Sequence, residues 1–256
     1  MQKKHLIQFS IHLPRNKENN GYVILYASVM VILVAVGLAF TSQSLKDRQI
    51  DNQNIDKMEQ ILRSLGISGV AKDKVIDTYN ATITDAYLVD REGNVIEETR
   101  GTGTNDPAFS YDIAELRTPA DRESYPVFEA SLDGQKAYVM ALYGAGLWGP
   151  IWGYISVAGD GDNVLGADFS HASETPGLGA EITHEPFSGQ FRDKHLYRDG
   201  SFTSIAVVKH GKTDESRDYV DGISGGTLTS KGVNNMLLDV LTQYEPFLNN
   251  LKQQNN

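Results

Sequence analysis

The chain opens with a polar, basic stretch and then runs from Gly21 to Phe40 without a single charge, GYVILYASVMVILVAVGLAF. As a helix, such a run rises about 30 Å, the thickness of a bilayer's hydrocarbon core. It exceeds the roughly 7–15 apolar residues of a signal-peptide core, and Thr41-Ser42-Gln43-Ser44 offers no clear small-x-small cleavage site. A buried core helix is the other reading. The expectation is an uncleaved transmembrane helix over 21–41 behind a cytoplasmic leader, 1–20. Lys3, Lys4, Arg15 and Lys17 precede the span against Glu18, while Lys46, Arg48 and Lys57 follow it. This small bias sets the N-terminus in the cytoplasm and the bulk of the chain outside.

Beyond the span the apolar period becomes helical. Ile55, Met58, Leu62 and Leu65 keep one face, with Ile61 beside them, and Gly66 is placed to stop the helix. Only Leu45 and Ile50 are apolar earlier, so a stalk helix and linker over 42–75 would dock its C-terminal half on a domain over 76–256. From Ile83 the period drops to two. Asp85–Asp90 reads as a strand, Arg91–Asn94 as a turn and Val95–Glu97 as the returning strand. Gly101–Asp121 reads as surface loop. Pro126–Ala130 and Lys136–Tyr143 are strands joined at Asp133-Gly134, a hairpin signal. Ile151–Val157 and Phe202–Lys209 are further strands. Val233, Met236, Leu237, Val240, Leu241 and Tyr244 then mark a C-terminal helix that Pro246 should interrupt, leaving a frayed tail from Asn249.

Composition narrows the chemistry. The chain carries 23 Lys and Arg against 33 Asp and Glu in 256 residues, which argues against a nucleic-acid partner. It has no cysteine, so disulfides, thiol catalysis, Cys-ligated clusters and a cysteine lipid anchor are excluded. No hydrolase motif stands out, the histidines lack ligand spacing, and neither a catalytic residue nor a metal site is assigned. Asp160 and Asp162 read as solvated turn residues, since the rest of a calcium loop is missing.

Three glycine-rich stretches remain. Gly144, Gly146 and Gly149 satisfy G-x-G-x-x-G, but Pro150 and the strand after it contradict the helix that a dinucleotide fingerprint must open. A glycine-rich β-turn carrying Trp148 and Trp152 fits better. In Glu174-Thr175-Pro176-Gly177-Leu178-Gly179, Pro-Gly suits a type II turn. Glu174 and His171 could offer hydrogen bonds there, though a structural or surface histidine is the plainer reading of His171. In Asp221–Ser230 four hydroxyls and the pair Gly225-Gly226 precede the C-terminal helix. Free N–H groups and the helix dipole would favour a phosphate at that point, and an ordinary Ser/Thr-rich helix entry is the plainer reading.

Asp221-Gly222-Ile223-Ser224-Gly225-Gly226-Thr227 resembles the flavinylation motif of the FMN-binding domain family, with Gly226 where the family usually has Ala. Gly146-Leu147-Trp148-Gly149-Pro150-Ile151-Trp152-Gly153-Tyr154 resembles one branch of that family, the C subunits of Na+-translocating NADH:quinone oxidoreductases. The Glu174–Gly179 turn resembles the family's second flavin-contacting loop. Phe191 and Lys194 match a Phe–x–Gly–Lys segment in which Asp193 replaces the glycine.

The resemblance implies an α+β fold: one transmembrane helix, a stalk helix, then a mainly antiparallel-sheet FMN-binding domain with a C-terminal helix. It implies covalent FMN on Thr227, with Ser224, Gly225, Gly226, Glu174, Thr175, Gly177, Leu178, Gly179, Trp148 and Lys209 around it. Lys209 would favour a reduced, anionic ring if it faces the flavin, and is otherwise a solvated strand end. The implied partners are the other membrane subunits of the complex and a flavin transferase using FAD and Mg2+. The implied place is the bacterial inner membrane, single-pass, with the large domain periplasmic. The G subunit of the Rnf electron-transport complex is the alternative within the family, and a membrane-anchored binding or sensor module the alternative outside it.

Overall fold

A computed structural model describes residues 20–118 and 121–254. The basic leader expected over 1–20 lies, but for Asn20, outside the described residues. The chain forms two compact units, 1–52 and 53–256, and helix α1 (Asn20–Ser64) runs through the boundary between them. In the first unit the apolar side chains from Tyr22 to Phe40 are exposed. The helix is long and apolar enough to cross a membrane.

In the second unit α1 buries Met58, Ile61 and Leu62, the stripe read from the sequence. Its end is closed by a Schellman motif. Gly66, at φ 82°, donates to Arg63 O, and Ile67 N donates to Leu62 O. Ser156 Oγ donates to Ser64 O at 2.6 Å, satisfying one more terminal carbonyl. Arg63 grips the buried carboxylate of Asp168 with Nε at 2.8 Å and a terminal nitrogen at 3.0 Å. Burial pushes the Asp168 carboxyl up, and the Arg63 bonds oppose that. Removing Arg63 would be costly, because the Asp168 carboxylate would stay buried without its partner.

Helix α2 (Val75–Thr82) leads into β1 (Ile83–Asp90). The main sheet is an antiparallel meander in the order β1, β2 (Ser124–Leu132), β3 (Gln135–Ala145), β4 (Pro150–Ala158), β5 (Val164–His171). Asp133 at φ 50° and Gly134 at φ 82° make the β2–β3 turn, the left-handed pair that suits strand twist. After two short helices, α3 (Pro107–Ser110) and α4 (Glu185–Ser188), the C-terminal helix α5 (Thr227–Gln254) packs on β3. Glycines on both elements allow close approach: a methyl on Gly232 would collide with Ala145 O, and one on Gly144 would press on Met236.

Several expectations change. The returning strand over Val95–Glu97 is a single bridge from Val95 to Val89 followed by a 3-10 turn, Glu97–Thr99. The 101–121 loop is pinned by Ala108, Phe109 and Leu116, which are buried. The strand over 202–209 breaks at Ser204, φ 57°, leaving short pieces at Ser201–Phe202 and Ala206–Val208. The latter pairs in parallel with Tyr219–Asp221. Asp162 is no mere solvated turn residue, since its Oδ1 accepts from the amides of Leu196 and Tyr197. Pro246 does not stop α5, because Phe247, Leu248 and Leu251 continue the buried face beyond it. Asp193 sits at φ 60°, so the position that takes glycine in the resembled segment keeps a left-handed backbone here.

Lys57 on α1 donates through Nζ to Phe109 O and lies 4.7 Å from the centre of that ring. Burial lowers its ammonium to about 8, with Asp112 opposing. An unfolded lysine titrates near about 10.4. Between those values the unfolded chain binds more protons, so stability rises with pH across the window. Eight tyrosines among the described residues, held above their usual range by burial, oppose that slope, and together they outweigh one lysine from a little above about pH 9, where unfolded tyrosines begin to ionise. Thermal unfolding of the detergent-solubilised chain should show a midpoint that rises from about pH 8 to about pH 9. In Lys57→Met that rise should vanish, and an unchanged slope would acquit Lys57.

Candidate functional site

The glycine triplet is a hairpin tip. Gly144 pairs with Ile151 and Ala145 with Pro150, and Gly146 N donates to Gly149 O at 2.8 Å. The tip is strapped to the segment after β5. Trp148 N donates to Glu174 Oε1 at 2.9 Å, and Ser173 Oγ donates to Trp148 O at 2.9 Å. The Trp148 backbone is thus held while its ring stays 66% exposed.

The Glu174 carboxylate is 5% exposed and faces inward. Its other oxygen accepts from Thr229 Oγ1 at 2.7 Å, on the first turn of α5. Its amide donates to His171 Nδ1 at 3.1 Å. The hydrogen bonds that Glu174 makes within the protein join three stretches of the chain. A methyl on Gly146 would collide with one carboxylate oxygen, and a methyl on Gly179 with the other. Those glycines are needed because the carboxylate occupies the space beside them.

Thr175 to Leu178 forms the expected turn. Leu178 N donates to Thr175 O at 3.1 Å, and Gly177 takes φ 75° at its third position. This turn lies against the loop before α5. A methyl on Gly225 would press on Leu178 Cδ2, and one on Gly226 would stand 3.3 Å from Gly179 N. The two loops are therefore neighbours although they are far apart in sequence.

The loop sorts its hydroxyls. Thr229 is consumed by Glu174, and Ser230 Oγ accepts from Ile223 N at 2.9 Å; both are buried. Ser224 and Thr227 are exposed, with Thr227 the first residue of α5. Gly225, at φ 77°, turns the chain just before it.

Thr227, Ser224, Gly225 and Lys209 line a cavity of about 350 Å3, within the usual range of small-molecule sites. Lys231, Arg217, His210, Asp214, Asn234 and Ser230 add to its polar lining. Arg217 is fixed there by Asp214 Oδ2 at 3.3 Å, Thr203 O at 3.2 Å and Asn234 Oδ1 at 3.4 Å. The Ser216 hydroxyl and amide, and then Arg217, hold the Asp214 carboxyl below its usual range. Gly177 lines a second cavity of about 380 Å3 with Glu181, His184, His210 and Ser224. Glu174, Gly179 and Gly226 are buried, while Thr175, Leu178 and Trp148 are exposed near the junction.

The model of the FMN-binding domain family matches residues 146–242, from the hairpin tip through most of α5. The C subunit of the Na+-translocating NADH-quinone reductase of Pasteurella multocida is 31% identical over 252 residues, covering 93% of this chain and 96% of that one. Its counterpart in Pseudomonas aeruginosa is 30% identical, covering 93% and 98%. The chain belongs to this family of FMN-binding C subunits. A crystal structure of the C subunit from Parabacteroides distasonis superposes with a TM-score of 0.72 at 48% identity, covering 80% of this chain and 96% of that one. The NqrC structure of Shewanella oneidensis, at 23% identity and a TM-score of 0.62, shares the fold.

The site fits the family's cofactor on its own terms. An exposed hydroxyl stands at a helix N-terminus, where unpaired N–H groups favour a phosphate. Cations gather beside it in a chain whose net charge is −10. Sequence reasoning passes over Lys231, Arg217 and Asn234. Lys231 is findable, being four residues after Thr227 and so on the same helix face. Nothing in the local sequence marks Arg217, which reaches the cavity through the tertiary fold.

The Glu174 clamp makes its own prediction. Gly146→Ala should destabilise the domain by about 1–3 kcal/mol through overpacking. In a Glu174→Ala background that cost should shrink, since the colliding oxygen is gone. Denaturant unfolding of the four proteins of this cycle measures the coupling. Additive effects would mean that the carboxylate is not what Gly146 accommodates.

Proposed function

We propose that this chain is the membrane-anchored flavin carrier of a Na+-translocating NADH-quinone reductase, with FMN esterified through its phosphate to Thr227 Oγ1. The observation that carries the reading is the sorting of hydroxyls around α5. Of the four in Ser224–Ser230, the two deepest are hydrogen-bonded inside, and Thr227 faces the cation-lined cavity from the helix start.

Esterification from FAD forms the Thr227 Oγ1–phosphorus bond and breaks the phosphoanhydride bond. AMP leaves, and the hydroxyl proton passes to a base of the flavin transferase. The bound flavin would supply one- and two-electron redox chemistry that no side chain of this protein has. The protein's part is retention and electrostatics. The ester prevents loss of the cofactor, and the N–H groups of α5 stabilise the remaining phosphate charge. The Thr175–Gly179 turn, which meets the Gly225-Gly226 loop through Leu178 and Gly179, would shape one border of the site, with Trp148 a further candidate contact. Lys209, exposed at the cavity wall, would favour a reduced, anionic ring by Coulomb attraction. Electrons would then pass between neighbouring subunits of the complex.

Intact mass tests the attachment. Coexpressed with a flavin transferase, the wild-type chain should gain the mass of FMN less one water. Ser224→Ala should keep that increment, and Thr227→Val should lose it while remaining folded. Full flavinylation of Thr227→Val would refute the acceptor assignment.

The same reading puts α1 across the bacterial inner membrane, with the folded unit in the periplasm. The support is the cation bias before Gly21 together with the exposed apolar surface of α1. A reporter that works only after export, fused behind Asn256, should be active. Activity of a cytoplasm-only reporter at the same point would reverse the orientation.

A further inference from the structure

We propose that Lys231 is the residue that recognises the flavin's phosphate at this site, acting as its counter-charge whether or not the ester has formed. The inference rests on FMN being the ligand of the Thr227 cavity and does not need the covalent bond.

Three observations single out Lys231 among the cations of the cavity. Arg217 is already committed to Asp214, Thr203 and Asn234, so its charge is met within the protein. His210 stands 3.4 Å from Asp221. Lys209 and Lys231 are exposed and enter no ion pair among the described residues. Of these two, only Lys231 shares a helix with Thr227. Residues four apart lie on one helix face, and a long helical side chain leans toward the N-terminus. The Lys231 stem is therefore directed along the face that starts at Thr227.

Helix stability does not account for a lysine there. The positive end of a helix favours acids, yet the first turn of α5 has none. A cation near that end adds to the helix's own positive field. An anionic group at Thr227 resolves both features, since it would complement the dipole and the ammonium together. The Lys231 contribution also differs in kind from that of the N–H groups. They are present in any helix, whereas the ammonium is a mobile point charge that salt can screen.

The test compares free FMN with riboflavin, which lacks only the phosphate. Full-length protein made without flavin transferase carries no ester, and binding of each compound is followed by quenching of flavin fluorescence. Wild type should bind FMN more tightly than riboflavin. Lys231→Gln should reduce that preference by about 3- to 10-fold and leave riboflavin affinity unchanged. Lys231→Arg should restore it, and raising the salt concentration should shrink it in wild type more than in Lys231→Gln. A Lys231→Gln protein with the wild-type preference would overturn the proposal, as would a wild type that binds both compounds equally. A chain that prefers FMN but is never esterified would sink the covalent reading and leave Lys231 in place.

Discussion

A single buried carboxylate organises the end of this domain that carries the cation-lined cavity. Glu174 accepts from Trp148 N on the β3–β4 hairpin and from Thr229 Oγ1 on α5, across sequence gaps of 26 and 55 residues. A buried carboxylate demands donors, and a pairing lost there leaves an unpaired charge out of water. The hairpin tip and the helix start are thereby fixed to the turn between them. Gly146 and Gly179 follow from the same demand, because any side chain at either position would occupy the carboxylate's space. The clamp also decides which hydroxyl is available. Residues two apart on a helix point in nearly opposite directions, so holding Thr229 inward turns Thr227 outward.

The same sheet carries a second polar anchor on its β4–β5 side. Asp168 on β5 receives Arg63, and Ser156 on β4 donates to the carbonyl of Ser64. Three residues beyond Asp168, β5 ends at His171, whose ring accepts from the Glu174 amide. The strand that secures the end of α1 within the folded unit thus leads directly into the clamp. Both anchors use groups that would be costly to bury unpaired, so each specifies a register as well as adding stability. A slip of β5 by one residue would turn Asp168 to the other face and displace Glu174 with it.

Much of this is legible in the sequence because it rests on local periodicity or on turn chemistry. The α1 stripe at Met58, Ile61 and Leu62, the Asp133-Gly134 hairpin and the Pro176-Gly177 turn each obey a rule confined to a few residues. The case against a dinucleotide fingerprint is equally local, since Pro150 and the alternation after it forbid a helix. What stays hidden depends on partners distant in sequence. Pro246 reads as a breaker until Phe247, Leu248 and Leu251 are seen to bury beyond it. The weak apolar content of 101–121 hides two short helical turns held down by Ala108, Phe109 and Leu116. Glu174 reads as a hydrogen-bonding candidate of its turn, and nothing near it in sequence reveals the donors at Trp148 and Thr229. The motif around Thr227 is visible as a string of hydroxyls, but their division into buried and exposed follows from those long-range bonds.

The electrostatics of the site invert those of the chain. With a net charge of −10, an average patch of this surface repels a phosphate, and local structure must overcome that repulsion. Three sources act together around Thr227: the unpaired N–H groups of α5, the backbone turn at Gly225, and the ammonium groups of Lys209 and Lys231. Arg217 contributes differently. Its guanidinium ties the loop at Asp214 to Thr203 and to Asn234 on α5, and Asn234 in turn accepts from Val207 N. It therefore shapes the cavity wall rather than supplying free charge. On the proposed reading, the Gly225 turn and the N–H groups of α5 would offer a phosphate a fixed backbone cradle, with the exposed lysines as counter-charge beside it.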